Sequence, residues 1–480
     1  MDRKQLLIAG EWRDAEGGKT QPVINPATEE VIAEVASAAP ADVDAAVAAA
    51  RAAFEGPWRK LSARDRGRIL WRVGERLTEK IDEVSRLETL HNGKPITESR
   101  HIEIPMAAEC LQYFAGWADK IHGETVPIKG NGFVYSLREP LGVVGAIVPW
   151  NFPLLLAMWK VAPALAAGNT VVLKPASQTP LTALAFGQIA LDAGLPPGVL
   201  NVITGSGATA GQAMVEHPGV NKVAFTGDTS TGRGVMRTAA ETVKHITLEL
   251  GGKSPNIVFP DADLDAAVRG ATVGIFYGKG EVCAAGSRLL VDRSIKDQFI
   301  AKVAERTKKM VPGDPMDPKT RLGAISSKSQ LERVLNYVEI AKREGASLVA
   351  GGSRADIGTG KGYFMQPTVF ADVTPQMTIA REEIFGPVLA AIEFGDVDEA
   401  IARANDSMYG LAAGIWTRDV KKAHYVASRL EAGTVWVNTY NVYDTAASFG
   451  GYKQSGFGRE MGRHALDFYT QSKTVWIDLS

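Results

Sequence analysis

Apolar positions in the first hundred residues recur at the spacing of amphipathic helices. Residues 42–54 are rich in alanine and place their apolar side chains three or four positions apart. Residues 64–92 continue this spacing with Leu70, Val73, Leu77, Ile81 and Val84. Side chains at that spacing share one face of a helix. Both segments are therefore predicted to be helices that support the fold and carry no catalytic residues.

From residue 141 onward, short apolar runs alternate with longer segments of helical spacing. The predicted strands are 143–148, 170–173 and 223–226, and the predicted helices are 154–167, 181–193 and 232–242. Strands that alternate with helices are typical of a parallel sheet covered by helices. The sequence therefore predicts an α/β domain in this part of the chain.

A second alternating series later in the chain predicts a second α/β domain. It contains a strand at 288–291 and charged helices at 296–310 and 327–344. Two further strands, 133–139 and 474–479, stand alone between turn residues and have no partner nearby in sequence. Unpaired strands are templates for pairing with another chain, so we expect these two at a subunit interface.

The composition is that of an ordinary globular protein. Of the 480 residues, 45% are hydrophobic and 22% are charged. A chain of this length is long enough to form two or three domains, each with its own core. Lys plus Arg total 53 against 54 for Asp plus Glu, so the net charge of −1 gives no overall attraction to nucleic acid. No apolar run reaches the roughly 18 residues of a membrane span, and residues 6–10 are too few for a signal-peptide core. We expect neither nucleic acid nor membrane as a partner.

The two cysteines, Cys110 and Cys283, lie far apart and form no CxxC motif. A disulfide framework and a structural zinc site are therefore excluded as explanations of the fold, and we predict no metal. A reducing cytoplasm is the compartment that fits this cysteine usage.

Two glycine-rich stretches suggest phosphate binding, but both depart from the known templates. Residues 250–254 end like a P-loop without its first glycine. Residues 205–211 miss the G-x-G-x-x-G spacing by one residue. Residues 223–227 are more informative because a buried strand leads into a small-residue turn and a helix, whose N-terminal amides can hold a pyrophosphate.

Three polar or reactive residues occupy positions that suit ligand binding or catalysis. Lys174 closes the strand 170–173, where ligands of open α/β sheets bind, although a solvated strand end is the plainer explanation. Asn151 follows the strand 143–148 and suits either a helix cap or an oxyanion. Cys283 lies among small residues, which would let a substrate approach the backbone closely. A buried, unreactive cysteine is nevertheless the commoner case.

Six short motifs spread through the chain form a specific set. They are Trp150-Asn151-Phe152-Pro153, Lys174-Pro175-Ala176, Phe225-Thr226-Gly227, Leu248-Glu249-Leu250-Gly251-Gly252-Lys253, Cys283 with Ala285-Gly286-Ser287-Arg288, and Glu382-Glu383-Ile384-Phe385-Gly386-Pro387. In content and order they resemble the aldehyde dehydrogenase superfamily, and the resemblance runs from residues 25–28 to residues 449–456. It implies an α/β fold with a Rossmann-like cofactor domain, an α/β catalytic domain and a small β oligomerisation element.

The resemblance also implies how these units divide the chain. Residues 1–120 and 140–251 would form the cofactor-binding domain, and residues 252–450 the catalytic domain. Residues 121–139 and 451–480 would form the oligomerisation element and C-terminal segment. Members of the family assemble as homodimers or homotetramers, which we expect here.

The implied reaction oxidises an aldehyde to a carboxylic acid through a thioester on Cys283. The Asn151 side-chain amide and the Cys283 backbone amide would hold the oxyanion. Glu249 matches the general base that activates water, and relatives that transfer the acyl group to coenzyme A characteristically lack this glutamate. Lys160 and Glu460 match positions of a proton relay, or they form a structural ion pair.

For the cofactor, NAD or NADP, the resemblance places Lys174 at the adenosine ribose and Glu383 with Phe385 at the nicotinamide. The other cofactor positions are Pro149, Trp150, Gly207, Gly211, Phe225, Gly227 and Asp228. Strict NAD users usually carry a glutamate where this chain has Ser177. A neutral hydroxyl beside the Lys174 ammonium would tolerate a 2′-phosphate, so we expect NADP to be accepted.

Two further residues depart from the family pattern. Asp228 replaces a common serine, and its carboxylate either lies near the pyrophosphate or caps the following helix. Glu281 replaces a frequent glutamine just before the nucleophile, and the sequence leaves its effect on the pKa values of the site open.

The aldehyde tunnel of the family corresponds here to Phe152, Leu156, Trp159, Tyr443 and Phe449. Four aromatic walls favour a medium-chain aliphatic or aromatic aldehyde through burial of apolar surface. They also suit a betaine-like or amino aldehyde through cation–π attraction, with Asp444 nearby. No arginine stands at these positions to anchor a carboxylate.

Two other classes of function are alternatives. A non-catalytic binding protein of the same fold would be favoured by loss of Cys283, Asn151 or Glu249, and all three are present. The second alternative is a cysteine hydrolase in which Cys283 pairs with one of the seven histidines. No sequence typical of a cysteine hydrolase family surrounds any of these histidines.

Overall fold

Uninterrupted apolar runs form the central strands of two sheets in the computed structural model, which describes residues 3–480. Val143–Ile147, Thr170–Lys174 and Lys222–Thr226 are buried along their whole length. Strands buried on both faces are typical of parallel sheets with helices on each side. The predicted alternation of strands and helices in this region agrees with the elements observed.

The strands within residues 3–480 are, in chain order, β1 (Arg3–Lys4), β2 (Leu6–Ile8), β3 (Glu11–Arg13), β4 (Thr20–Asn25), β5 (Glu30–Ala36), β6 (Thr125–Val126), β7 (Gly132–Pro140), β8 (Val143–Ile147), β9 (Thr170–Lys174), β10 (Leu200–Val202), β11 (Lys222–Thr226), β12 (His245–Glu249), β13 (Pro255–Val258), β14 (Arg288–Asp292), β15 (Ser347–Ala350), β16 (Thr368–Ala371), β17 (Val388–Phe394), β18 (Tyr409–Gly410), β19 (Ala412–Trp416), β20 (Thr434–Val437), β21 (Tyr452–Lys453), β22 (Gly456–Phe457) and β23 (Thr470–Asp478). The α-helices are α1 (Pro40–Glu55), α2 (Pro57–Lys60), α3 (Ala63–Glu79), α4 (Ile81–Asn92), α5 (Ile96–Glu98), α6 (Ile104–Ala115), α7 (Pro153–Ala166), α8 (Leu181–Asp192), α9 (Gln212–Glu216), α10 (Thr229–Ala240), α11 (Leu264–Phe276), α12 (Lys296–Lys308), α13 (Lys328–Arg343), α14 (Thr378–Arg381), α15 (Val397–Asn405) and α16 (Val420–Ala427).

The larger sheet has eight strands in the order β22-β12-β11-β8-β9-β10-β2-β3. The five strands from β12 to β10 are parallel, whereas β22, β2 and β3 pair antiparallel. The chain moves outward from β8 to β9 and β10, and then returns to add β11 and β12 on the other side of β8. The strand order therefore reverses between β8 and β11, and ligands of open α/β sheets bind beyond the strand ends at such a point.

The second sheet has seven strands in the order β15-β16-β17-β14-β13-β19-β20. All its pairings are parallel except that of β15 with β16. Cys283 lies in the segment that joins α11 to β14, after a short turn at Tyr277–Gly280. The nucleophile predicted from the sequence is thus carried by a loop that leads into the second sheet.

Capping side chains mark where several helices begin. Ser62 accepts the Asp65 N–H at the start of α3, and Asp263 accepts the Ala266 N–H at the start of α11, as capping residues do elsewhere. Helix α7 differs, because it begins at a proline and is buried throughout. No helix within residues 3–480 has the length and apolar character needed to cross a membrane.

The two strands without a predicted partner pair with each other. β23 runs antiparallel to β7 from Thr470 opposite Pro140 to Asp478 opposite Gly132, and β6 lies on the other side of β7. The partners are more than 300 residues apart along the chain. Because the partners are so far apart, no local sequence pattern marks this pairing.

Strands from the predicted ranges 140–251 and 252–450 lie in different sheets. Strands β8 to β12 from the range 140–251 lie in the larger sheet, and β13, β14, β19 and β20 from the range 252–450 lie in the second sheet. β22, from the range 451–480, joins the edge of the larger sheet, with Phe457 opposite Leu248 and Gly456 opposite Glu249. This pairing holds the segment that carries Glu460 beside the end of β12.

Candidate active site

The carboxyl ends of neighbouring strands in the larger sheet bring polar residues together from distant parts of the chain. Asn151 follows β8, Gly227 follows β11 and Glu249 ends β12. Asn151 and Glu249 are buried, at 5% and 4% exposure. These residues lie at the edge of the sheet where the strand order reverses.

Cys283 lines two separate cavities. One is apolar, with a volume of about 330 Å³, and includes all five residues predicted for the aldehyde: Phe152, Leu156, Trp159, Tyr443 and Phe449. The other is more polar, with a volume of about 150 Å³, and includes Asn151 with six predicted cofactor residues: Pro149, Trp150, Gly227, Asp228, Glu383 and Phe385. Cys283 therefore lies between an apolar and a polar cavity.

The surroundings of Cys283 disfavour its thiolate. Burial raises the pKa of the thiol well above its usual value, and the carboxyl groups of Glu249 and Glu383 raise it further. A hydrogen bond from the Ala284 N–H acts in the opposite direction. The thiol is therefore protonated near neutral pH until a base accepts its proton.

Glu249 has the properties of such a base. Its Oε1 is buried without a hydrogen-bond partner among residues 3–480. Burial raises the pKa of Glu249 well above its usual value, Glu460 raises it further, and Lys160 opposes both. Buried carboxyls without a partner are rare, and a raised pKa makes the carboxylate a stronger base near neutral pH.

Lys160 and Glu460 form a buried ion pair with each other. Lys160 Nζ also donates a hydrogen bond to Thr226 Oγ1 at 2.6 Å. The second carboxylate oxygen of Glu460, Oε2, is buried without a hydrogen-bond partner in the described part of the chain. The ion pair expected as one alternative is present, and Glu460 keeps one oxygen free.

The side chain of Asn151 does not cap α7, because Phe152 occupies the N-cap position and no side chain caps that helix. Asn151 Nδ2 donates one hydrogen bond to the Glu281 carbonyl at 2.9 Å. Lys94 Nζ holds the Asn151 carbonyl oxygen at 2.8 Å. Because an amide nitrogen carries two hydrogens, the second N–H is left for another acceptor.

Lys174 ends β9, and Ser177 and Gly211 lie in the segments that follow β9 and β10. Burial lowers the pKa of Lys174 to about 8. Ser177 Oγ donates a hydrogen bond to the Gly205 carbonyl at 3.0 Å. A Cβ placed on Gly211 would lie 3.7 Å from the Lys174 side chain, whereas a Cβ on Gly207 would meet open space.

Asp228 caps α10, which is one of the two orientations expected for it. Its Oδ1 accepts the N–H groups of Ser230 and Thr231 at 2.8 and 3.2 Å. Burial opposes the charge, but the hydrogen bonds prevail and lower the pKa of Asp228. Gly227 lies against the Phe225 ring, where an added Cβ would come within 2.7 Å, so the turn before the cap requires glycine.

Glu383 and Phe385 line the polar cavity from the segment between α14 and β17. Glu383 Oε1 accepts the Gly252 N–H at 2.9 Å, and burial raises the pKa of Glu383 to about 7. A Cβ on Gly251 would lie 2.2 Å from Glu383 Oε2, so a side chain there would displace the Glu383 carboxyl. Phe385 has a φ of +61° and meets the Trp150 ring edge to face at 5.1 Å. Left-handed backbone at a phenylalanine is strained and is typical of functional sites.

Aromatic rings build the wall of the apolar cavity. The Phe449 ring lies 5.5 Å from Trp159 and 5.6 Å from Tyr443 between centroids. Phe152 stacks on Tyr277 at 6.1 Å. Of the described residues, no Lys, Arg, Asp or Glu lines this cavity.

Asp444, which suggested a cationic aldehyde, does not line the apolar cavity. Its Oδ1 accepts the Ala446 N–H at 2.8 Å and so closes a turn. Asp444 therefore does not supply a carboxylate to the apolar cavity for pairing with a cation.

Sequence reasoning missed part of both linings. The apolar cavity also includes Ile102, Met106, Leu155, Val273, Tyr277, Val282, Asn441 and Val442, and the polar cavity also includes Thr226, Leu250, Gly251, Gln330 and Arg333. Leu155 could have been found, because its position three residues after Phe152 and four before Trp159 places it on the same side of the chain at helical spacing. The others come from segments whose place depends on tertiary packing, and no local signal marks them.

Known proteins resemble this chain over nearly its whole length. A family model described as "Aldehyde dehydrogenase family" matches residues 12–475. The mitochondrial aldehyde dehydrogenase of Homo sapiens is 49% identical over 476 residues, which cover 98% of this chain and 92% of that protein.

Solved structures show the same likeness. The NAD+ complex of an aldehyde dehydrogenase from Bacillus cereus is 49% identical with a TM-score of 0.98, covering 100% of this chain and 97% of that chain. A mutant indole-3-acetaldehyde dehydrogenase of P. syringae, in complex with NAD+ and IAA, is 46% identical with a TM-score of 0.98 and the same coverage.

Proposed function

The chain belongs to the aldehyde dehydrogenase family and is an NAD-dependent oxidoreductase that oxidises aldehydes, and we propose that Cys283, Asn151 and Glu249 carry out this reaction. The position of Cys283 supports the proposal most directly, because its side chain lines both an apolar and a polar cavity. An aldehyde in the first cavity and a cofactor in the second meet at its sulfur.

Cys283 starts the reaction by adding to the aldehyde carbonyl. Glu249 accepts the thiol proton, which its raised pKa favours, and the sulfur forms a bond to the carbonyl carbon. The second N–H of the Asn151 amide and the Cys283 backbone N–H hold the resulting oxyanion. When bound, NAD supplies the acceptor for the hydride that leaves this carbon, and Cys283 is left as a thioester.

Glu249 then acts on water. Once it has passed the thiol proton outward, it accepts a proton from the water as the water oxygen bonds to the thioester carbon. The carbon–sulfur bond then breaks, the sulfur takes that proton back from Glu249, and the acid leaves while Cys283 is restored as a thiol. We propose that the free Glu460 oxygen, which Lys160 holds in place, receives the thiol proton from Glu249 on its way out. A buried base needs such a route because it has no direct access to bulk water.

The residues around the polar cavity fit NAD. Gly251 and Gly227 keep the backbone open where a Cβ would collide with Glu383 or Phe225. Asp228 uses two of the free amides of α10, which leaves fewer of them for a pyrophosphate. The proposed positions at the adenosine ribose, the pyrophosphate and the nicotinamide are Lys174, Ser177, Gly207, Gly211, Phe225, Gly227, Asp228, Pro149, Trp150, Glu383 and Phe385.

We propose that NADP is accepted as well as NAD. Ser177 presents a neutral hydroxyl, and Lys174 beside it carries an ammonium group that can pair with a 2′-phosphate. No carboxylate occupies position 177 to repel that phosphate.

Substitution of Ser177 tests this cofactor proposal. S177E places a carboxylate beside the ribose, so kcat/KM for NADP should fall at least about tenfold through charge repulsion, while the value for NAD changes little. S177A, which adds no charge, should keep the wild-type ratio of the two cofactors in steady-state assays. The proposal is wrong if the wild type shows no turnover with NADP at concentrations that saturate with NAD.

We propose that the substrate is a medium-chain aliphatic or aromatic aldehyde. The cavity leading to Cys283 is aromatic and uncharged within the described residues. A betaine-like or amino aldehyde is second, since Asp444 is committed to a turn. The relative solved with IAA is named for an aromatic aldehyde, which agrees with this order.

An aldehyde panel followed by absorbance of reduced cofactor tests the function and the substrate together. With NAD, kcat/KM should rise about fourfold for each methylene buried in the apolar cavity, and aromatic aldehydes should exceed betaine aldehyde. C283A should abolish turnover with every aldehyde. If the wild type reduced no cofactor with any aldehyde of the panel, a non-catalytic protein of this fold would be favoured instead.

We propose that the chain forms a homodimer or homotetramer through the sheet of β23, β7 and β6. Residues 121–139 and 451–480 would form this oligomerisation element and the C-terminal segment. Apolar side chains stand exposed there: Phe133, Leu137, Trp476, Ile477 and Leu479. Trp476 is 68% exposed, and surface of this kind is typical of interfaces. Sedimentation velocity should show no monomer at micromolar concentration, and a monomer would contradict the assembly.

We propose the cytoplasm as the compartment, because both cysteines are free and the reaction needs a reduced Cys283. Activity recovered in the soluble fraction of lysed cells is the expected result.

We also propose residues 1–120 with 140–251 as the cofactor domain and 252–450 as the catalytic domain, which limited proteolysis between them tests.

A further inference from the structure

Two oppositely charged residues lie buried behind the nucleophile, and the mechanism above does not use them. Lys279 and Glu281 are each 1% exposed, and Lys279 Nζ lies 2.9 Å from Glu281 Oε2. They belong to the loop that carries Cys283. Burying two charges is costly even when they pair, so their retention here calls for a specific role.

The pair ties its loop to two other parts of the chain. Lys279 Nζ donates to the Asn92 carbonyl at 2.8 Å and to Asn92 Oδ1 at 2.6 Å. Glu281 Oε1 accepts the Ser326 N–H at 3.0 Å. The loop is therefore held at the end of α4 on one side and just before α13 on the other.

These contacts lead directly to the residues proposed to bind the oxyanion. Asn92 Nδ2 donates to the Trp150 carbonyl at 2.7 Å, so the residue that holds Lys279 also holds the backbone before Asn151. The Asn151 side chain in turn donates to the Glu281 carbonyl at 2.9 Å. The two segments that carry the oxyanion donors are thus joined through Asn92 and through Glu281.

The backbone of the loop shows that this arrangement is imposed. Gly278, Lys279 and Gly280 all have positive φ, and that of Lys279 is +64°. A lysine in this conformation is strained and persists only where its surroundings enforce it. Gly280 packs closely on another segment, because a Cβ there would lie 2.3 Å from the backbone of Gly386.

We propose that Lys279 and Glu281 are positioning residues for the oxyanion site. Their ion pair fixes the loop so that the Asn151 side-chain N–H and the Cys283 backbone N–H face the same substrate oxygen. The inference rests on the proposed roles of Cys283 and Asn151. Neither charged side chain touches the substrate in this role.

The test compares K279Q, E281Q and the double variant K279Q/E281Q. Each single change leaves one buried charge without its partner, so the loop should shift and kcat should fall by about 10²-fold, the scale expected for a displacement of about 1 Å. The aldehyde KM should stay within about twofold, because the lost interaction forms only with the oxyanion. Iodoacetamide titration of Cys283 normalises kcat to active sites.

The double variant should recover part of the loss, because it leaves no unpaired charge and coupled residues act non-additively. We expect its kcat to remain about tenfold below wild type, since glutamine is one atom shorter than lysine and cannot reach both Asn92 and position 281. If the single variants do not fold, the double variant decides alone: a reduced kcat with unchanged KM supports the inference.

K422Q is the matched control, because it removes the lysine of the Lys422–Asp261 pair, also 2.9 Å apart, away from both cavities. Its kcat should equal that of the wild type. Wild-type kcat per site in K279Q, E281Q and the double variant would overturn the inference while leaving the proposed function intact. Loss of the function itself would appear as an inactive wild type or an active C283A.

Discussion

The burial of two acidic groups, the Cys283 thiol and the Glu249 carboxyl, is the constraint on which the rest of the site depends. Burial disfavours both charges and raises both pKa values. Among residues 3–480, Glu249 has no salt bridge and its Oε1 has no hydrogen-bond donor. A carboxylate in that situation gains by taking a proton, so the proposed base costs the protein stability in its place beside the proposed nucleophile.

The topology of the larger sheet explains how these groups meet. Parallel strands end at one edge, and the reversal of strand order between β8 and β11 opens a crevice there. β12 delivers Glu249 to this edge, β22 brings the segment of Glu460 next to it, and the loop before β14 brings Cys283 from the second sheet. Each residue arrives on a different element, so the geometry depends on the packing between the sheets.

The sequence was sufficient for the parts of this structure that depend on local pattern. Asn151, Lys174 and Glu249 stand in short motifs beside strands whose apolar runs are plain in the sequence. The pairing of β7 with β23, the place of Tyr277 in the cavity wall and the contact of Lys279 with Asn92 join segments far apart in the chain. Such contacts are decided by tertiary packing, which leaves no local signal. Asp228 lay between these cases, because capping and phosphate contact fit the same motif.

The most direct test of the account is mass spectrometry of the E249Q variant, denatured at intervals after mixing with NAD and a medium-chain aldehyde. Because Glu249 is proposed as the base in both steps, E249Q should acylate Cys283 more slowly than the wild type and then fail to hydrolyse the thioester. The acyl group should therefore build up slowly on the peptide that contains Cys283 and persist there, while the wild type shows little of it. An acyl group on the Cys110 peptide, or turnover of E249Q at the wild-type rate without an adduct, would contradict the account.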